Sequence, residues 1–205
     1  MKNIALYTTF LTCLTLTYSL DTRAEAFCAL RDPVASIYQL YPEATSFRSI
    51  VRTVNKTTRS HVINHLPNMS LHFSEMGRHT LYVALKNEKE LGYVHVRSEK
   101  SQWGLVEVAW ALNLDLSIHD FTFQRARNPS RRFIETHEFK SQLTGRNFSA
   151  MKTLINQPFA EHALPLFSDK DALQLASVVI QSGLKTLLIT EQTWKSDLID
   201  QSQLD

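Results

Sequence analysis

The chain has 205 residues, with 22 Lys and Arg against 20 Asp and Glu and a net charge of +2, a balance that excludes a general nucleic-acid binder. Five glycines and six prolines argue against long disordered or low-complexity segments, and no internal repeat is present. The length suits one domain with a sizeable core.

Residues 1–26 read as a secretory signal. Lys2 supplies a positive start, residues 4–20 are apolar and Thr-rich, and Ala24-Glu25-Ala26 has the small-x-small shape of a cleavage site. Cleavage after Ala26 predicts an exported, periplasmic protein of residues 27–205, folded as a single domain, and an uncleaved anchor is the alternative reading. No second long apolar run is expected, so the mature chain is not expected to span a membrane. Removing 26 of the 205 residues leaves 20 basic and 18 acidic residues and one cysteine, Cys28. One thiol cannot form an internal disulfide, and Cys28 reads either as a small buried hydrophobe or as a redox or intermolecular thiol. Phe27 stands where a lipobox needs a small residue, and no CxxCH for covalent haem is present.

Asp32-Pro33 ahead of Val34, Ile37, Tyr38 and Leu40 predicts a capped helix ending before Pro42. Phe47, Ile50, Val51 and Val54 predict a strand. Asn55 then caps a second helix carrying Val62, Ile63 and Leu66 and stopping at Pro67. Strands are expected over 71–73 and 80–85, around a turn at 75–78, and 86–90 is a polar turn.

The centre of the chain predicts a three-stranded antiparallel meander. Val94 and Val96 alternate with polar residues, Leu105, Val106, Val108, Trp110 and Leu112 follow a turn at 100–104, and Leu116, Ile118, Phe121 and Phe123 follow a turn at 113–115. The 103–112 strand is apolar at nearly every position and is therefore expected to be central and covered on both faces, with half-exposed neighbours.

Beyond it come a basic loop, 125–132, and short helical patterns over 135–146 and 148–155. An irregular apolar connection occupies 159–167. The longest helix, over 169–191, is capped by Ser168 or Asp169 and carries Leu173, Ala176, Val179, Ile180, Leu184, Leu187 and Leu188 on one stripe. Gly183 inside that helix costs about 1 kcal/mol against alanine and implies close packing on the sheet. The tail from Lys195 is polar and is expected to fray. The predicted architecture is α+β, an antiparallel meander over 71–125 covered by the long C-terminal helix, with an N-terminal helix-strand-helix segment.

Several of these residues form a recognisable series. Gly92 ahead of a strand, Gly104-Leu105-Val106-Glu107-Val108 opening the next, and Glu135, Phe139, Gln142, Leu143, Gly145 and Arg146 in a short helix resemble the FMN-binding domain of periplasmic flavoprotein subunits in Rnf-type and sodium-pumping quinone reductase complexes. The likeness covers about a third of the chain. It implies electron transfer with FMN as cofactor and a membrane or periplasmic redox protein as partner.

Two departures from that family qualify the implication. The family attaches FMN through an S-G-A-T-x-[ST] threonine ahead of the long helix, where this chain reads Leu166-Phe167-Ser168-Asp169-Lys170-Asp171; any flavin is therefore expected to be noncovalent. In place of the family's T-P-G-L-G loop stands Arg125-Ala126-Arg127-Asn128-Pro129-Ser130-Arg131-Arg132. Four arginines can hold a phosphate, dock an acidic partner, or simply form a solvated basic loop.

The candidate flavin-binding residues are accordingly Trp103, Gly104, Trp110, Arg127, Arg131, Arg132 and Ser168, with Phe123 as a further wall. The alternative is a module of the same fold that has lost the cofactor and docks a periplasmic or membrane partner. His61 and His65 lie four apart on a predicted helix, but no HExxH is completed and no metal site is assigned. His95 and Glu107 fall on neighbouring strands and are candidates to meet as a pair. No GxSxG, P-loop or Rossmann pattern is present, so no hydrolase and no catalytic residue is indicated.

Overall fold

The structure, a computed structural model, describes residues 32–69, 71–156 and 169–199. The signal segment, Cys28, the 159–167 connection and Ser168 lie outside the described residues. Nine residues, Ser46–Val54, form β1, and four further strands follow: β2 (Gly77–Lys86), β3 (Lys89–Ser101), β4 (Gly104–Leu112) and β5 (Ile118–Arg125). They make one antiparallel sheet in the order β1-β2-β3-β4-β5. The helices are α1 (Val34–Leu40), α2 (Lys56–His65), α3 (Arg131–Ile134), α4 (His137–Ser141), α5 (Phe148–Asn156) and α6 (Lys170–Ile199). The expected α+β class, with a meander under a long C-terminal helix, is what forms.

Local chemistry explains the boundaries. The Asp32 carboxylate accepts from the Val34 N–H at 3.1 Å, and Asn55 accepts from the Thr58 N–H at 3.0 Å, capping α2. Asn87 and Glu88 both have positive φ, 50° and 68°, as a two-residue type I′ hairpin between β2 and β3 requires. At the next hairpin Gly104 has φ 93°, and Ser101 Oγ donates to the Gly104 carbonyl at 2.8 Å. Asp169 caps α6 by accepting from the Asp171 N–H at 2.9 Å.

The two faces of the sheet are covered unequally. One face is shallow: Ala84, Ala109 and Ala111 leave room for α1, whose Ile37 and Leu40, with Tyr41 just beyond, seal a small apolar cluster with Val94 and Val96. The closest approach is at Gly92, where the Tyr41 hydroxyl donates to the Leu112 carbonyl at 2.6 Å and a Cβ would stand 2.2 Å from that hydroxyl oxygen. The opposite face carries the main core. Leu81, Val83, Val108, Trp110, Leu112, Phe121 and Phe123 pack there against Val179, Ile180, Leu184, Leu187 and Leu188 of α6.

Five sequence expectations are corrected. β4 is an inner strand covered on both faces as expected, but its neighbour β3 is not half-exposed: it is the middle of the five strands and is buried on both faces from Gly92 to Glu99; β1, expected outside the meander, pairs with β2 and completes the sheet. The strand expected over 71–73 does not form; it gives way to a 3₁₀ turn at 73–75, where the Glu75 carboxylate turns back to accept from the His72 N–H at 3.0 Å. The helix expected over 135–146 is shortened to α4, which Thr136 caps, and a separate turn of helix, α3, forms ahead of it at the end of the basic loop and closes at Glu135.

The tail from Lys195 does not fray within the described residues. Trp194 is fully buried with its indole N–H donating to the Ile50 carbonyl at 3.0 Å, and Arg52 on β1 pairs with Asp197, so helix continues to Ile199. Finally, 170–198 is long and apolar enough to cross a bilayer, which the sequence reading did not expect. The apolar stretch is 72% buried inside the fold, so its composition is accounted for by the core it covers.

Candidate functional site

The end of the molecule where β3 turns into β4 gathers three segments. Gln102, in the turn, donates to the Asp171 carboxylate at 2.8 Å. Asn128 of the basic loop donates to the Asp171 carbonyl at 3.3 Å, and Ser130 Oγ donates to the Asp169 carboxylate. Turn, loop and the N-terminus of α6 therefore form one surface. Trp103 (40% exposed) and Gly104 lie on the turn, and Arg127, Arg131 and Arg132 lie on the loop and the start of α3.

The arginines are not equivalent. Arg127 and Arg132 are exposed. Arg131 pairs with Glu135 at 2.7 Å and lies over the Phe123 ring at 5.5 Å; Arg132 lies over the Phe133 ring at 4.9 Å. The Ser130 hydroxyl first, then the Asp171 N–H, hold the Asp169 carboxyl below its ordinary range, with Arg132 adding to the effect.

Trp110 does not join this surface. It is fully buried under α6, its indole N–H donates to Ser182 Oγ at 3.0 Å, and six residues of strand separate it from Gly104, roughly 20 Å. One flavin ring cannot touch both Trp103 and Trp110. Phe123 lies on the core side with 5% exposure, with the Arg131 guanidinium over its ring.

The histidines divide in the same way. The His61 and His65 rings meet at a tilt of 34° with centroids 4.2 Å apart, but His65 Nδ1 lies 2.9 Å from the His61 carbonyl, and no group of three metal-ligating side chains exists among the described residues. His95 and Glu107 do not meet. His95 is registered with Trp110 and Glu107 with Ser98, three positions apart on β4, and the period of two along a strand puts them on opposite faces.

The sequence reading missed what His95 does face. Along β3 the positions His95, Arg97 and Glu99 all point to the α6 side, making a polar stripe inside the main core. Arg97, fully buried, donates through Nη2 to Glu75 Oε2 at 2.5 Å, and its Nε lies 3.9 Å from Glu99 Oε1. Lys185 Nζ from α6 reaches Glu99 Oε2 at 2.9 Å and Glu75 Oε2 at 3.4 Å. Two acids and two bases thus neutralise one another, as burial demands. Burial outweighs Lys185 and Arg97 and raises the Glu99 carboxyl above its ordinary value.

Two neutral imidazoles extend the stripe. His95 Nδ1 is 2.8 Å from Thr190 Oγ1, and its ring meets His79 at 6.1 Å and Trp194 at 5.2 Å, edge to face in both cases. Burial, then the Arg97 charge, pushes His79 down to about 4 and His95 well below the ordinary histidine range. Above the charged part of the stripe opens a cleft of about 350 Å³. Its floor is Glu75, Glu99 and Lys185; Asn68, His72 and Lys100 stand at its exposed mouth, with Met69 and Gln181 between. One signal for this site was present in the sequence: Lys185 falls within the apolar stretch of α6, where a charge needs a partner.

No family model matches the chain, and neither the curated proteins nor the solved structures include one detectably similar to it.

Proposed function

We propose that this is an exported electron-transfer protein that holds FMN noncovalently at the surface formed by the β3–β4 turn, the basic loop and the start of α6. The observation that carries the reading is the mutual anchoring of those three segments through Gln102, Asn128, Ser130 and the two aspartates. It puts an exposed aromatic, Trp103, beside a loop with exposed Arg127 and Arg132. A stacked ring and a phosphate need those two kinds of group: an apolar plane for the isoalloxazine and charge-assisted donors for the phosphate. Export rests on Lys2, the apolar run and Ala24-Glu25-Ala26. An exported protein cleaved there has an intact mass lacking the first 26 residues.

Flavin fluorescence tests the reading. FMN is expected to be quenched on titration with the protein. The pair Arg127→Ala and Arg132→Ala is expected to weaken FMN binding, by about 1.5–3 kcal/mol for each charge-assisted hydrogen bond to the phosphate that is removed, while leaving riboflavin, which lacks the phosphate, unaffected. Bound FMN is released on denaturation, leaving unmodified protein. The absence of quenching at high micromolar FMN would reject the reading.

A second reading, a cofactor-less module docking an acidic partner through the same arginines, is favoured by two observations. The threonine of the attachment motif is missing from 166–171, and Trp110 is sealed in the core. Under this reading neither FMN nor riboflavin is quenched, and the arginine pair weakens partner binding in a salt-dependent way.

A further inference from the structure

The two halves of the turn-and-loop surface are held with unequal firmness. The loop that carries Arg127 is pinned to the start of α6 more than once. Asn128, 4% exposed, donates to the Asp171 carbonyl at 3.3 Å and accepts from the Ser130 N–H at 2.7 Å, and Ser130 Oγ donates to the Asp169 carboxylate. The turn that carries Trp103 is fixed in shape by Ser101, whose Oγ accepts from the Trp103 N–H at 3.1 Å and donates to the Gly104 carbonyl at 2.8 Å. Beyond its own hairpin, its hold on the rest of the surface is a single bond. Gln102 Nε2 donates to Asp171 Oδ1 at 2.8 Å, and among the described residues no other hydrogen bond joins the 101–104 turn to another element.

Asp171 therefore stands between the halves. Its carboxylate holds Gln102, the residue before Trp103, and its carbonyl holds Asn128, the residue after Arg127. A ligand that stacks a ring on Trp103 and sets an anionic group on the arginines engages both halves at once, and the second contact adds fully to the first only while the spacing between them is fixed. Asp171 has the same sign of charge as a phosphate and repels it, so a role as a ligand contact does not suit it. Holding Gln102 does.

We propose that Gln102 and Asp171 are positioning residues: their hydrogen bond fixes the spacing between the Trp103 platform and the arginine loop, and FMN gains over riboflavin because of it. This rests on the reading of the surface as an FMN site.

Fluorescence titrations of FMN and of riboflavin against the full chain test it, the quantity read being the ratio of the two Kd values. Gln102→Met keeps the length of an exposed side chain and removes its donor, and is expected to lower the preference for FMN about fivefold. A merely structural loss would weaken both flavins together and leave the ratio where it was. In an Asp171→Ala background, Gln102→Met is expected to change the ratio no further, because the bond is already gone. A parent that quenches neither flavin removes the FMN reading and this inference with it, and a parent that binds the two equally leaves no phosphate contact to position and overturns the inference. A parent that prefers FMN, with that preference unchanged in Gln102→Met or lowered equally with and without Asp171, overturns the inference while the FMN reading stands.

Discussion

Trp110 on β4 brings the outer edge of its indole against Gly183 of α6: a Cβ on that glycine would stand 3.0 and 3.1 Å from two atoms of the indole and 3.1 Å from the Met151 methyl. The indole cannot retreat easily. Its N–H is bonded to Ser182, and Phe121 packs against it with ring centroids 5.1 Å apart. Gly183→Ala therefore sets a helix-propensity gain of about 1 kcal/mol against overpacking of about 1–3 kcal/mol. A net loss of about 1 kcal/mol is expected in urea unfolding. A more stable variant would show that Trp110 has freedom to move.

Gly92 answers to a harder constraint. A Cβ there would meet the Tyr41 hydroxyl at 2.2 Å and the Leu112 carbonyl at 2.4 Å. Gly92→Ala is expected to cost roughly 3 kcal/mol, combining overpacking with loss of the Tyr41–Leu112 hydrogen bond. Tyr41→Phe in the same chain should restore only part of this, because the backbone carbonyl remains in the way. Complete rescue, measured by thermal unfolding, would mean that the phenol alone makes the glycine necessary.

The buried charges predict a compensation pattern. Arg97→Met leaves Glu75 and Glu99 to share Lys185 in the core, and a loss of about 3–5 kcal/mol is expected. Adding Glu75→Gln removes one of the two acids and restores neutrality. The double variant should then be more stable than Arg97→Met alone, and a double-mutant cycle in urea measures the difference.

Acid should weaken the fold through the histidines. Unfolded, His79 takes a proton below about pH 6.5; folded, it stays neutral down to about 4. Between those values the unfolded state binds more protons, so stability is full above pH 6.5 and falls as the pH drops toward 4, by at most about 3 kcal/mol for this residue. His95 contributes in the same direction. Urea midpoints from pH 7.5 to pH 4 give the slope, which His79→Gln should flatten; an unchanged slope in that variant would place the effect elsewhere.

Leu184 is fully buried beneath the sheet, and Leu184→Asp introduces an unpaired charge there. A loss of several kcal/mol is expected, readable as a fall in Tm. Unaltered thermal stability would contradict the packing of α6 on the main core.

What the sequence disclosed was whatever local chemistry decides. Asn55 and Asp169 cap the helices that follow them, Gly183 sits where its place in the apolar stripe implies close packing, and the meander follows from alternation in β3, β4 and β5. What it concealed depends on partners far along the chain. Arg97 and Glu99 look like the wet side of a strand until Lys185, 86 residues beyond Glu99, is brought over them. Trp194 looks like part of a polar tail until Ile50 offers its carbonyl. The same limit split the proposed flavin residues: Trp103 stands in the turn ahead of β4 and Trp110 on β4 itself, and the helix buries only the second.

The cover of the sheet has a consequence for how the chain acquires its structure. Every strand pairs with its immediate predecessor in sequence, so the hairpins from β2 to β5 can zip one after another as they are made, each closing a short loop, while β1 joins β2 across the segment that carries α2. Their apolar face, however, receives its lid only when 170–199 has been synthesised, and the lid must then reach back to β1 through Trp194. Until that moment the nascent sheet is an adhesive surface with two open edges. A chain in that condition depends on something to hold it apart from its neighbours, and the interval between the last strand and the last helix is when it is most at risk of aggregation.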